Sequence, residues 1–121
     1  MTTTAQIPPM SGAQPLVVLD ADAVGRLPWA AMHGVDLAVT RVLWAESGSL
    51  AGVMRLDAGA CLAPHAHQEG HHHMWVLDGS ARIGGRRVSA GSYVHVPAGV
   101  RHGVEDVGAG GFTMFYVYQR A

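Results

Sequence analysis

From Val35 onward apolar and polar residues alternate with a period of two: Val35, Leu37 and Val39 against Asp36, Ala38 and Thr40. That period puts successive side chains on opposite faces of an extended chain, so it predicts a half-buried β-strand rather than a helix. Short runs of the same kind recur over 42–45, 50–56, 72–77, 81–83, 86–88, 93–96, 102–107 and 112–118. Turn residues part them, among them Ser47-Gly48-Ser49, Asp57-Ala58-Gly59, Asp78-Gly79, Ser89-Ala90-Gly91 and Pro97-Ala98-Gly99, with Gly84-Gly85 as a tight hairpin turn. Short strands spaced about eight to twelve residues apart predict a sandwich or barrel. Upstream, 16–19 reads as a short strand. Asp20 reads as the N-cap of a helical turn over 21–27, which Pro28 ends. The threonines and prolines of 1–15 predict an irregular arm, and the apolar cluster Trp29 to Met32 has to dock on the barrel. The chain thus divides into an arm, 1–34, and one all-β barrel, 35–121.

Composition narrows the partners. A formal net charge of −1 with no basic stripe speaks against nucleic acid. No apolar run is long enough to cross a bilayer, and the first residues lack the basic and apolar regions of a signal peptide. Cys61 is the single cysteine, which excludes an intrachain disulfide and fits a reducing compartment. The expectation is a cytoplasmic protein.

Five of the eight histidines fall between His65 and His73. His65 and His67 are two apart, so on a strand both point the same way, and His72 opens the apolar run that follows. Histidines placed this way on neighbouring strands converge on one divalent cation, and burying them without a partner would leave ring nitrogens unsatisfied. A metal-free polar cluster on the surface is the alternative, and the apolar setting counts against it. His71 and His73 flank His72, so the same alternation turns them away from the ion.

A second signal follows: Gly91-Ser-Tyr-Val-His-Val-Pro97-Ala-Gly99-Val-Arg-His102-Gly-Val-Glu-Asp106. Together the two stretches resemble the paired motifs of cupins, G-x5-H-x-H-x3–4-E-x6-G and G-x5-P-x-G-x2-H-x3-N. Gly59, His65, His67 and Gly79 match the first in register, and Gly91, Pro97, Gly99 and His102 match the second. The resemblance implies an antiparallel double-stranded β-helix, or jelly roll, with a metal in the barrel mouth held by His65, His67 and His102. Two positions depart from it. Asp106 stands at the asparagine position, and His72 stands at the glutamate position. Glu69 is the nearest carboxylate but is out of register with Gly79, so His72 is preferred as the fourth ligand.

Four neutral ligands leave the ion its full charge, which strengthens it as a Lewis acid and favours an enolate or phenolate oxygen. Within cupins the stretches after His72 and Ala90 are similar to those of 2,4'-dihydroxyacetophenone dioxygenases and of zinc-dependent anti-sigma factors. The resemblance implies a mononuclear non-haem enzyme, iron first with zinc, nickel or manganese as alternatives, that cleaves a carbon–carbon bond in a small diketone or hydroxyaryl ketone. Non-redox isomerase, cyclase or lyase chemistry is the second expectation and a metal-binding sensor module the third. No residue is assigned as catalytic acid or base. Met74 and Val76 follow His72 in phase and are expected to line the substrate pocket. Arg101 is the candidate for orienting an anion, with solvated charge as its plainer role. On 93–96 either Tyr93 and His95 or Val94 and Val96 look inward. Either the set with Phe112 or the set with Thr113 walls the pocket from the last strand. Trp75 falls on the outer face and points to a homodimer.

Overall fold

The computed structural model describes residues 15–120. It is built of nine strands: β1 Ala30–Ala31, β2 Ala38–Glu46, β3 Ser49–Leu56, β4 Leu62–His65, β5 Gly70–Ile83, β6 Arg86–Ser89, β7 Tyr93–Val96, β8 His102–Val104 and β9 Phe112–Arg120. One helix, α1 Ala21–Arg26, precedes them. The main sheet runs β1-β2-β3-β9-β5-β6 with β7 also paired to β5, and β4 and β8 form a second, two-stranded sheet. Every paired strand is antiparallel. An isolated bridge from Arg82 to Glu105 ties the end of β5 to the segment after β8. This is the expected jelly roll.

Two hairpins follow directly from turn chemistry. Ser47-Gly48 and Gly84-Gly85 each place both central residues at positive φ, which matches the twist of antiparallel strands. Strand β5 is the long member. Its first half lies between β9 and β7, then a register shift between Val76 and Asp78 bends it so that its second half pairs with β6. Gly79 lies just past that bend at φ +79, and a Cβ there would stand 2.0 Å from the Gly111 carbonyl oxygen. Only glycine permits this approach of β5 to the chain entering β9.

Inward positions of β5 and β9 stack in layers: His72 opposite Tyr118, Met74 opposite Tyr116, Val76 opposite Met114, and Gly79 opposite Phe112. Leu56, Ala81, Val104, Phe112 and Met114 fill the floor, each at most 2% exposed. The Tyr116 hydroxyl spans to Thr40 Oγ1 at 2.8 Å, which satisfies two polar groups on neighbouring inner positions. The layer with His72 and Tyr118 is the open end.

Several expectations change. Residues 16–19 form no strand, because their backbone finds no ladder partner, and they lie exposed beside Leu43 and Trp44. The alternation at Val35 begins one step later than its pattern suggests. Leu37 sits at φ +61 and is exposed, the strand starts at Ala38, and Ala38 is the buried residue. The strand expected over 102–107 stops at Val104, because Asp106 turns to φ +53 and pairs with Arg87. Asp20 does cap α1, its Oδ1 accepting from the Ala23 N–H at 2.8 Å. The Trp29–Met32 cluster docks as β1, with the Arg41 guanidinium 4.0 Å over the Trp29 ring. The arm segment 1–14 lies outside the described residues.

Gly79→Ala is expected to lower stability by about 2 kcal/mol or more, since it adds a backbone clash to a strained φ. Chemical denaturation would measure it, with the exposed turn variant Gly84→Ala, where no atom lies within 4 Å of the added Cβ, losing less.

Candidate metal centre

β4 carries His65 at its end, His67 follows in the loop to β5, His72 comes from β5 and His102 opens β8. The β4–β8 register sets His65 opposite His102. Gly103, next along β8, would clash through a Cβ with the Leu62 carbonyl oxygen at 2.6 Å, so a residue without a side chain lets the two strands close at the mouth. Ring centroids lie 4.4 Å apart for His65–His102 and for His67–His72, and 5.0 Å for His65–His67.

His65, His67 and His102 offer donor atoms that all lie within 4.8 Å of one another, so three histidines are positioned to bind a metal ion. His72 stands outside this mutual set, yet its Nδ1 is 3.3 Å from His102 Nε2. Hydrogen bonds orient two of the rings. Nδ1 of His65 donates to the Ala63 carbonyl at 2.9 Å, and Nδ1 of His102 donates to the Val100 carbonyl at 3.2 Å. Each bond leaves Nε2 with its lone pair free for a metal. His67 Nε2 is buried with no hydrogen-bond partner among the described residues. Such an orphan is costly without a ligand, and a cation satisfies it. Nitrogens sharing one ion at about 2.1 Å stand roughly 3.0–3.4 Å apart, and the His72–His102 contact falls in that range. The donors fit a divalent transition metal.

Electrostatics favour the neutral, metal-ready imidazoles. Burial, then the neighbouring rings of His67 and His102, pushes His72 down to about 4. Burial and the rings of His65 and His102 lower His67. Burial also lowers His102, against an opposing pull from its bond to the Val100 carbonyl. Glu69 turns outward to Arg120, 3.5 Å away, and no carboxylate lines the cavity among the described residues.

Below the rings lies a cavity of about 160 Å³, walled by Met32, Met54, Met74 and Met114. Met74 sits where its phase predicted. Val76 does not reach the wall, because it falls one layer deeper and packs in the core. Arg101 lies outside too, its guanidinium donating to the Pro64 carbonyl at 3.1 Å. Val94 and Val96 take the inward phase of β7, and the Phe112 set takes that of β9. Tyr118 closes the mouth, its ring 5.0 Å from His67 and 5.1 Å from His72. Met32 and Met54 escaped prediction because they arrive from β-strand neighbours with no local motif to mark them. His71, His73 and His95 face outward, as does Trp75 at 40% exposure.

A protein-family model described as the ChrR cupin-like domain matches residues 16–120. The chain is a cupin of this ChrR-like family. No curated protein matches it. Solved structures similar to this cupin include an RmlC-like cupin from Ralstonia eutropha (19% identity, TM-score 0.73, 88% of this chain and 69% of that one). An RmlC-like cupin from Shewanella frigidimarina is similar at 22% identity and TM-score 0.69, covering 80% of this chain and 86% of that one. So is a chain in the complex of Rhodobacter sphaeroides SigE with the anti-sigma ChrR (21%, TM-score 0.68), covering 82% of this chain and 55% of that one. No helix among the described residues is long and apolar enough to cross a membrane.

The lowered histidines carry a pH signature. With pKa values near 6.5 unfolded and lower when folded, the unfolded chain binds more protons between about 6.5 and about 4. Stability of the metal-free protein is therefore full above pH 6.5 and declines as pH falls toward 4. Thermal melts across that window should show the decline, and His72→Asn should flatten it.

Proposed function

We propose that the four-histidine mouth holds one divalent transition metal, iron in the native protein, and that this cupin is a non-haem dioxygenase cleaving a carbon–carbon bond of a small diketone. The donor set carries the reading: imidazoles from His65, His67, His72 and His102, one nitrogen orphaned, no carboxylate, over an apolar cavity. When bound, the ion supplies Lewis acidity undiminished by a carboxylate charge, and iron adds one-electron chemistry toward oxygen. The chain's own residues do the rest. His72 and His67 stay neutral at physiological pH and keep their lone pairs available. The four methionines grip a carbon skeleton and exclude water, and their flexible thioethers adapt to its shape. A core cavity of about 150 Å³ admits benzene, so this one, at about 160 Å³, takes a small diketone more readily than a hydroxyaryl ketone. A second copy of the chain over exposed Trp75 completes the reading.

The family match and the likeness to the ChrR complex favour a second reading, a metal-binding sensor module that engages a regulatory partner. Stable co-purification with a partner would support this reading.

Full-length protein reconstituted with Fe(II) should consume one oxygen per molecule of small β-diketone and release two fragments. His67→Ala should lower turnover by about 100-fold or more, and His72→Ala by about 10-fold or more. Turnover in strict anaerobiosis with zinc bound overturns the oxygenase in favour of Lewis-acid isomerase or lyase chemistry.

A further inference from the structure

Strand alternation sends three histidines to the back of the sheet. His71 and His73 leave β5 on its outer face, and His95 leaves β7 on the same side, directly opposite His73 in the ladder. His71 Nδ1 stands 3.1 Å from His95 Nε2, with the two rings within 14° of parallel. His73 stacks on the His95 ring at 4.8 Å and 11°, and its own Nδ1 is held by the Tyr93 hydroxyl at 2.6 Å. His95 is thus braced on one side by a stacked ring, while its Nε2 faces His71.

We propose that His71 and His95 form a second transition-metal site, on the outer face of the barrel and separate from the mouth. Two nitrogens on one late divalent ion at about 2.0–2.1 Å stand roughly 2.9–3.4 Å apart, and the 3.1 Å pair meets that spacing with its rings already placed. Without an ion, a single shared proton links the two nitrogens. On binding, the donor ring carries its proton on its other ring nitrogen instead, so both facing nitrogens offer lone pairs to the cation and both imidazoles stay neutral with no net proton release. Two neutral imidazoles with water in the remaining positions suit Cu(II) or Ni(II), then Zn(II), rather than calcium or magnesium. Of the eight histidines, four gather at the mouth, three lie on this face and His33 is elsewhere, so the two sites share no ligand. A loaded outer site would clamp β5 to β7 behind the His72–Val96 ladder pair.

Titration of the full, metal-free chain with Zn(II), and again with Ni(II), against a chromophoric chelator tests this. Wild type should take two equivalents of unequal affinity. His71→Ala and His95→Ala should each lose the weaker and keep the tighter, whereas His67→Ala should lose the tighter and keep the weaker. Wild type taking one equivalent, or a weaker equivalent surviving in the His71→Ala/His95→Ala double variant, overturns the outer site. Failure of the dioxygenase assay leaves these counts unaffected, so the two proposals fall separately.

Discussion

A buried imidazole nitrogen with nothing to bond is the constraint on which the open end of this barrel depends. Four rings crowd the mouth of an apolar cavity, and water cannot solvate them all. Burial and mutual repulsion make the charged forms of His72, His67 and His102 expensive, so those rings are driven neutral. Neutrality turns each into a lone-pair donor, and backbone carbonyls at Ala63 and Val100 decide which nitrogen of His65 and His102 donates and which is free. The features that make the cluster unstable alone are those that make it a receptor for a cation.

The rest of the molecule serves that arrangement. Gly79 lets β5 press against the entry to β9, and the bend beside it carries one strand from the main sheet into its hairpin with β6. Beneath, Phe112, Leu56 and Met114 fill the floor of the barrel. Gly103 does the matching work in the small sheet, where His65 and His102 meet.

Much of this was legible in the chain. Turn residues marked the hairpins because two-residue loops at positive φ admit few alternatives, and the motif glycines and histidines fell in register with the cupin pattern. Local patterns failed where a distant partner decides. The 16–19 run is as strand-like in composition as β7, but it lies beside Leu43 and Trp44 without pairing to any described strand. Leu37 fits the period of two, but the chain turns there before pairing begins. The phase of β7 was undecidable from Tyr93-Val94-His95-Val96 alone, because both sets contain residues that can be buried. Arg101 neighbours His102 in sequence, yet it lies just outside β8 and its guanidinium is taken up by the Pro64 carbonyl. Met32 and Met54 reached the cavity wall through the folding of β1 and β3 around it, which no spacing records.

Three histidines in a row on β5 also bear on how such a chain tolerates change over generations. Loss of any one codon from His71-His72-His73 still leaves a histidine in the slot that faces the mouth, with Met74, Trp75 and all that follows in their original phase. The back of the sheet has no such reserve, since the shortened run supplies a single outward ring in place of two. The inner donor is thereby buffered against small deletions while the outer pair is not, so among descendants of this sequence the front of the strand can persist as its back is lost.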